Sequence, residues 1–69
     1  MWTVVYIAAN TKIAENLKEI LTREGLMVKL RPVGGLALPQ ASVEILVPES
    51  EAEEANEIIN AAMGGQRLP

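Results

Sequence analysis

Glutamate supplies every side-chain carboxylate of this 69-residue sequence, and five of the nine glutamates lie between residues 49 and 57. Such a cluster could bind a hard cation or act in acid–base chemistry. Glu49, Glu51 and Glu53, however, fall in or beside the first turn of a predicted helix, where the helix dipole stabilises negative charge. Glu54 and Glu57 share a solvated side of that helix. We therefore interpret the cluster as a well-solvated helix start, and we predict no metal site and no catalytic residue here.

The residue types that carry most other side-chain chemistry are missing, because the sequence contains no histidine, cysteine or aspartate. Thiol catalysis, disulfides and the usual zinc sites are thereby excluded. A chain of 7.5 kDa also buries only about 60% of its surface on folding, which leaves one small core and little room for a cofactor pocket. We expect a non-enzymatic protein that carries no cofactor.

A glycine pair, Gly34-Gly35, lies in a segment from Pro32 to Gln40 that is rich in turn-forming residues. It matches neither the Walker pattern nor the dinucleotide fingerprint, and no helix follows it to hold a phosphate. Apolar residues in a loop that should face water indicate either a contact with a partner or a loop folded back over the sheet. The candidate contact residues are Val33, Gly34, Gly35, Leu36 and Leu38.

Two cations, Lys29 and Arg31, alternate with apolar residues in the run before Pro32, as in a half-buried strand. Two interpretations are open. In the first, the cations pair across strands with Glu44. In the second, they form a small anion-binding patch on the open face of the sheet.

Periodicity places these residues on five elements in the order strand, helix, strand, strand, helix. The strands cover residues 2–9, 26–31 and 42–47. The first helix is capped by Asn10 or Thr11 and ends at Gly25. The second begins at a capping box formed by Ser50 and Glu53, and it ends at the glycine pair 64–65.

A right-handed crossover through the first helix makes strands one and two parallel, with room for strand three between them and antiparallel to both. The sequence therefore predicts an α+β fold: a ferredoxin-like βαββα arrangement of strand order 1-3-2 with both helices on one face. We expect a single domain over residues 1–64 and a flexible C-terminal tail over residues 65–69.

Strand one is apolar on both faces and is predicted to lie at the edge of the sheet, where it would recruit another chain unless covered. Strict alternation places Trp2, Val4 and Tyr6 on one face, as a dimer edge or as part of the open sheet face. We therefore expect a homodimer, with a protein partner as a further possibility.

Charge and hydropathy limit the other partners. The formal charge is −3 with scattered lysines and arginines, which argues against nucleic acid. No apolar run approaches the roughly 20 residues of a membrane span, and the start has no basic targeting region. We therefore expect a cytoplasmic protein with no membrane contact.

Three segments carry a resemblance to a known family: Val4 to Ala8, Glu24-Gly25-Leu26, and Val43 to Glu49 followed by Glu51 to Ala55. Their hydrophobic spacing and the Val-Pro-Glu start of the second helix resemble short bacterial signal-transducing domains, which are similar in fold to the PII nitrogen-signalling regulators. The resemblance implies a partner-contacting loop between strands two and three, at Pro32 to Gln40. The chain is much shorter than PII proteins and lacks their long basic loop and nucleotide-contacting tail.

Together these features predict a small regulatory or adaptor module that acts by protein contact as a homodimer. The alternative is a PII-like domain that senses a small anion or a nucleotide through Lys29 and Arg31.

Overall fold

A computed structural model of the chain describes residues 1–33 and 42–63. Three strands form one sheet of order β1-β3-β2, in which β3 is antiparallel to both neighbours. This confirms the predicted α+β fold and its strand order. The predicted tail, residues 65–69, lies outside the described residues. The elements are β1 (Trp2–Ala8), α1 (Thr11–Arg23), β2 (Lys29–Pro32), β3 (Val43–Pro48), a 3₁₀ turn (Glu49–Glu51) and α2 (Ala52–Ala62).

The core lies between the helices and one face of the sheet. Val43, Ile45 and Val47 of β3 face the helices and are buried, as their alternation predicts. Since β3 is the central strand, β1 and β2 flank it on either side in the sheet, and the helices pack over these three residues. The same cluster includes Ala8, Ala14, Leu17, Leu21, Leu26, Ala55 and Ile59.

The start of α1 is fixed by a side-chain cap. The Oδ1 atom of Asn10 accepts a hydrogen bond from the backbone N–H of Ile13 at 2.9 Å, so Asn10 rather than Thr11 is the N-cap. This bond satisfies one of the N–H groups that the first helical turn leaves without a partner.

The end of α1 is fixed by Gly25, whose φ of +92° is a conformation that side-chain-bearing residues rarely adopt. The Gly25 N–H donates to the Thr22 carbonyl at 2.9 Å, and the Leu26 N–H donates to the Leu21 carbonyl at 3.1 Å. These two bonds form a Schellman motif, which turns the chain from the helix towards β2.

The capping box predicted at the start of α2 is wrong. Neither Ser50 nor Glu53 makes a capping hydrogen bond, because the chain leaves Pro48 through a 3₁₀ turn that contains Ser50. A different glutamate is used instead. Oε1 of Glu51 accepts a hydrogen bond from the backbone N–H of Met27 at 3.0 Å, which ties the start of α2 to the segment leading into β2.

A β-bulge interrupts β1. Val4 pairs with Leu46 and Tyr6 pairs with Ile45, so Val5 is one residue more than β3 can match. The extra residue reverses the alternation of side chains along the strand. Even-numbered residues before the bulge, such as Val4, therefore face one side of the sheet, and even-numbered residues after it, such as Tyr6, face the other.

The bulge changes which residues lie on the open face, the side of the sheet away from the helices. Trp2 and Val4 lie there as predicted, but Tyr6 does not: it pairs opposite core-facing Ile45, is half-buried and packs against the core. Ile7 takes its place on the open face. The prediction that Tyr6 shares a face with Trp2 was wrong because strict alternation ignores the extra residue.

Candidate functional site

Three apolar side chains of β1 stand exposed on the open face. Trp2 and Val4 are each 38% exposed and Ile7 is 57% exposed. We call Trp2, Val4 and Ile7 the apolar strip. An isolated exposed apolar side chain is ordinary on a protein surface, but three on the same face of one strand make this face a candidate contact surface.

In the middle of the open face, a side chain of β2 contacts a side chain of β1 across the central strand β3. Leu46 of β3 points to this face and lies outside the core cluster, yet it is only 5% exposed. The Lys29 ammonium of β2 lies 4.6 Å from the centre of the Trp2 ring of β1. Lys29 is also the register partner of Leu46. The cation–π pair therefore spans β3 beside Leu46 and joins the apolar strip to the charged half of the face.

The charged half of the open face contains a cross-strand ion pair. Nε of Arg31 donates to Oε1 of Glu44 at 2.6 Å, and the two residues are register partners on β2 and β3. This confirms the predicted pairing with Glu44 for Arg31, whereas the Lys29 ammonium lies against the Trp2 ring instead. Arg31 is already paired with Glu44, and the Lys29 ammonium already lies over the Trp2 ring. An incoming anion would have to compete with both of these contacts. Binding of an anion by these two cations stays a prediction.

Of the five candidate contact residues in the loop, Val33 alone lies within the described residues. Val33 is exposed, and its N–H donates to the Ser42 carbonyl at 2.8 Å, which continues the pairing of β2 with β3 by one step. Gly34, Gly35, Leu36 and Leu38 lie outside the described residues, and their contact role stays a prediction.

The helix side of the molecule carries a groove of about 410 Å³ between α1 and the end of α2. Its walls are mainly apolar, and Glu19, the acidic residue on its rim, pairs with Arg23 at 3.2 Å. The groove therefore lacks the convergent polar groups that fix a small ligand. The lining residues are Ile13, Asn16, Leu17, Glu19, Ile20, Ala62 and Met63.

Within residues 1–33 and 42–63, no polar or charged side chain is buried, and no three potential metal-ligating side chains come together. Glu49 and Glu51 lie in the 3₁₀ turn, Glu53 and Glu54 lie in the first turn of α2, and Glu57 is exposed further along the helix. In the same residues, neither α1 nor α2 is long and apolar enough to span a bilayer.

Comparisons with protein-family models, with curated proteins and with solved structures give no match. The resemblance to PII-like signal-transducing domains therefore stays a prediction. A functional assignment depends on the surface of this chain alone, and its most distinctive feature is the apolar strip on the open face.

Two parts of this surface are not visible in the sequence. Ile7 is one residue in an unbroken apolar run, and nothing in that run marks Val5 as the extra residue. The contact between Trp2 and Lys29 joins residues that are far apart in the chain. Only the strand order 1-3-2, which places β1 and β2 on either side of β3, could have suggested it.

Proposed function

We propose that this chain is a non-catalytic cytoplasmic regulatory or adaptor module, that it acts by protein contact, and that it is a homodimer. The observation that supports the proposal is the apolar strip, whose three side chains lie on a face that the two helices leave uncovered. Burial of exposed apolar area is the main favourable term in protein association.

The surrounding charges support contact with protein. Arg31 and Glu44 neutralise each other, and the Lys29 ammonium rests on the Trp2 ring. The open face thus combines an apolar half with polar groups that already have partners. This is the composition of an interface core with a polar rim, whereas an ion-binding patch would carry unpaired charge.

The proposal is tested by measuring mass in solution by sedimentation velocity, from low to high micromolar concentration. We expect the wild-type chain to approach twice its monomer mass as the concentration rises. Ile7→Lys should shift this transition to higher concentration, because a charge placed in the strip must be desolvated on contact.

Met27→Lys is the matched control, since Met27 is 59% exposed, nearly the same as Ile7, but precedes the opposite edge strand. It should dimerise like the wild type. A wild-type chain that remains monomeric throughout this range would refute the homodimer. Equal weakening by both lysine variants would show that the strip is not the contact.

A further inference from the structure

The two edges of the sheet differ in how well they are protected against pairing with another strand. β2 has four residues, two of which are the cations Lys29 and Arg31, and it ends in Pro32. Short length, cations and proline are the usual devices that blunt an edge. β1 has seven residues, with no charge and no proline, and in the part of the chain that the structure describes its only protective device is the bulge at Val5.

The hydrogen-bonding phase of β1 shows which backbone groups face outward. The Glu49 N–H donates to the Met1 carbonyl at 2.8 Å. Since residues of an antiparallel ladder alternate between bonding their partner and pointing away from it, Trp2 and Val4 direct their N–H and C=O groups away from β3. The bulge shifts the phase by one residue, so that Ile7 points outward beyond it.

The same three residues therefore supply both the outward backbone groups of the sheet edge and the exposed side chains of the open face. Within residues 1–33 and 42–63, the outward backbone groups of Trp2, Val4 and Ile7 have no pairing strand along the outer edge, and their side chains form the apolar strip. A strand that pairs with this edge would satisfy the backbone groups and would also extend the apolar surface beside the strip.

Resting on the proposed function, we infer that the occupant of this edge is β1 of a second copy, paired antiparallel across a twofold axis perpendicular to the sheet. The two sheets then become one continuous six-stranded sheet. Both apolar strips lie side by side on its open face, so that each copy completes the contact surface of the other.

Charge and closure favour a second copy over a strand from another protein. The chain carries a net charge of −3, but β1 is uncharged, so pairing two β1 strands places no like charges opposite each other. The twofold arrangement uses the single unblunted edge of each chain and leaves only the two β2 edges. Assembly therefore stops at the dimer and does not continue as a fibre.

The size of the contact predicts a reversible dimer. β1 has seven residues and is about 23 Å long at 3.3 Å per residue, so we expect a contact confined to its edge to be smaller than the roughly 800 Å² per partner of a standard stable interface. We therefore expect a reversible dimer that dissociates on dilution.

Amide hydrogen exchange, read residue by residue at several protein concentrations, tests the inference on the wild-type chain. We expect the N–H groups of Trp2, Val4 and Ile7 to become protected as the dimer forms. By the same ladder argument, Val28 and Leu30 point outward along the opposite edge, and their exchange should not change with concentration.

Two variants of Val4 separate backbone pairing from side-chain contact. Val4→Pro removes an outward N–H that β3 does not use, and proline is tolerated at such edge positions. It should weaken the dimer about 30-fold, the effect of losing one hydrogen bond at each of two symmetric positions. Val4→Thr keeps the N–H group and a similar shape, and it should weaken the dimer less.

The outcomes separate this inference from the proposed function. A dimer by mass in which Trp2, Val4 and Ile7 exchange at the monomer rate, with both Val4 variants equally weakened, would overturn edge pairing and leave a contact through the strip alone. Protection of Val28 and Leu30 instead would place the contact at β2 and would also overturn the inference. Absence of any dimer by mass would refute the homodimer itself.

Discussion

Deletion of Val5 should leave the fold intact, although removing a residue from the middle of a strand usually destroys it. A one-residue slip normally moves every following side chain to the wrong face. In β1, however, Val5 is the unmatched residue of the bulge. Without it, Val4 stays opposite Leu46 and Tyr6 stays opposite Ile45 in a regular ladder.

The magnitude follows from what Val5 contributes. Its side chain is half-buried against the core, so its loss costs about 1 to 1.5 kcal/mol, half of the value for a fully buried valine. One residue fewer to order returns about 1 to 2 kcal/mol of conformational entropy. The free energy of unfolding should therefore stay within about 1 kcal/mol of the wild-type value.

Urea unfolding followed by far-ultraviolet circular dichroism measures this, with deletion of Leu46 as the control. β3 has no bulge of its own and is paired on both sides, so that deletion must turn Ile45 or Val47 out of the core. The cost, about 2 to 5 kcal/mol, matches the whole stability of about 3 to 5 kcal/mol expected for so small a core. The reasoning is refuted if deletion of Val5 unfolds the chain as deletion of Leu46 does, or lowers its m-value.

Three further substitutions test the local contacts that position the sheet, each by the change in the free energy of unfolding. Asn10→Ala should cost about 1 kcal/mol by removing the N-cap of α1, and Asn10→Ser should restore most of it; equal loss in both would contradict the cap. Gly25→Ala should cost about 1 to 2 kcal/mol from backbone strain alone, because no atom lies within 4 Å of the added Cβ; no loss would show that the positive φ is not required. Glu51→Ala should cost about 1 kcal/mol and speed exchange of the Met27 N–H, whereas Glu51→Gln keeps an acceptor and should slow it again.

The strand order was predictable because it depends on patterns that cover whole elements. Alternation in β3 separates Val43, Ile45 and Val47 from Glu44 and Leu46, and the structure confirms it. A glycine after an amphipathic run marks the end of α1 for a specific physical reason. The crossover rule then leaves little freedom in the topology.

The predictions failed where one residue decides the outcome. Tyr6 was placed on the wrong face because the apolar run from Val4 to Ala8 gives no period from which a bulge could be detected. Ser50 was expected to cap α2 because its spacing to Glu53 fits the motif. The turn after Pro48 instead places Ser50 inside a 3₁₀ segment. The side chain that makes a hydrogen bond here is that of Glu51, which accepts from the backbone N–H of Met27.

The bulge limits pairing along the edge of β1, while the apolar strip keeps the strand uncharged. A regular, uncharged β1 would be an aggregation-prone edge strand, whereas a charged one would be poorly suited to apolar contact with a partner. The extra residue at Val5 shortens the run of regular edge available for pairing without adding charge. A small core leaves the monomer only marginally stable. Binding that selects the folded state adds to its stability by an amount that grows with the logarithm of the ratio of partner concentration to dissociation constant. On the proposed edge pairing, the exposed edge of β1 would therefore couple the stability of the folded chain to its association with a second copy.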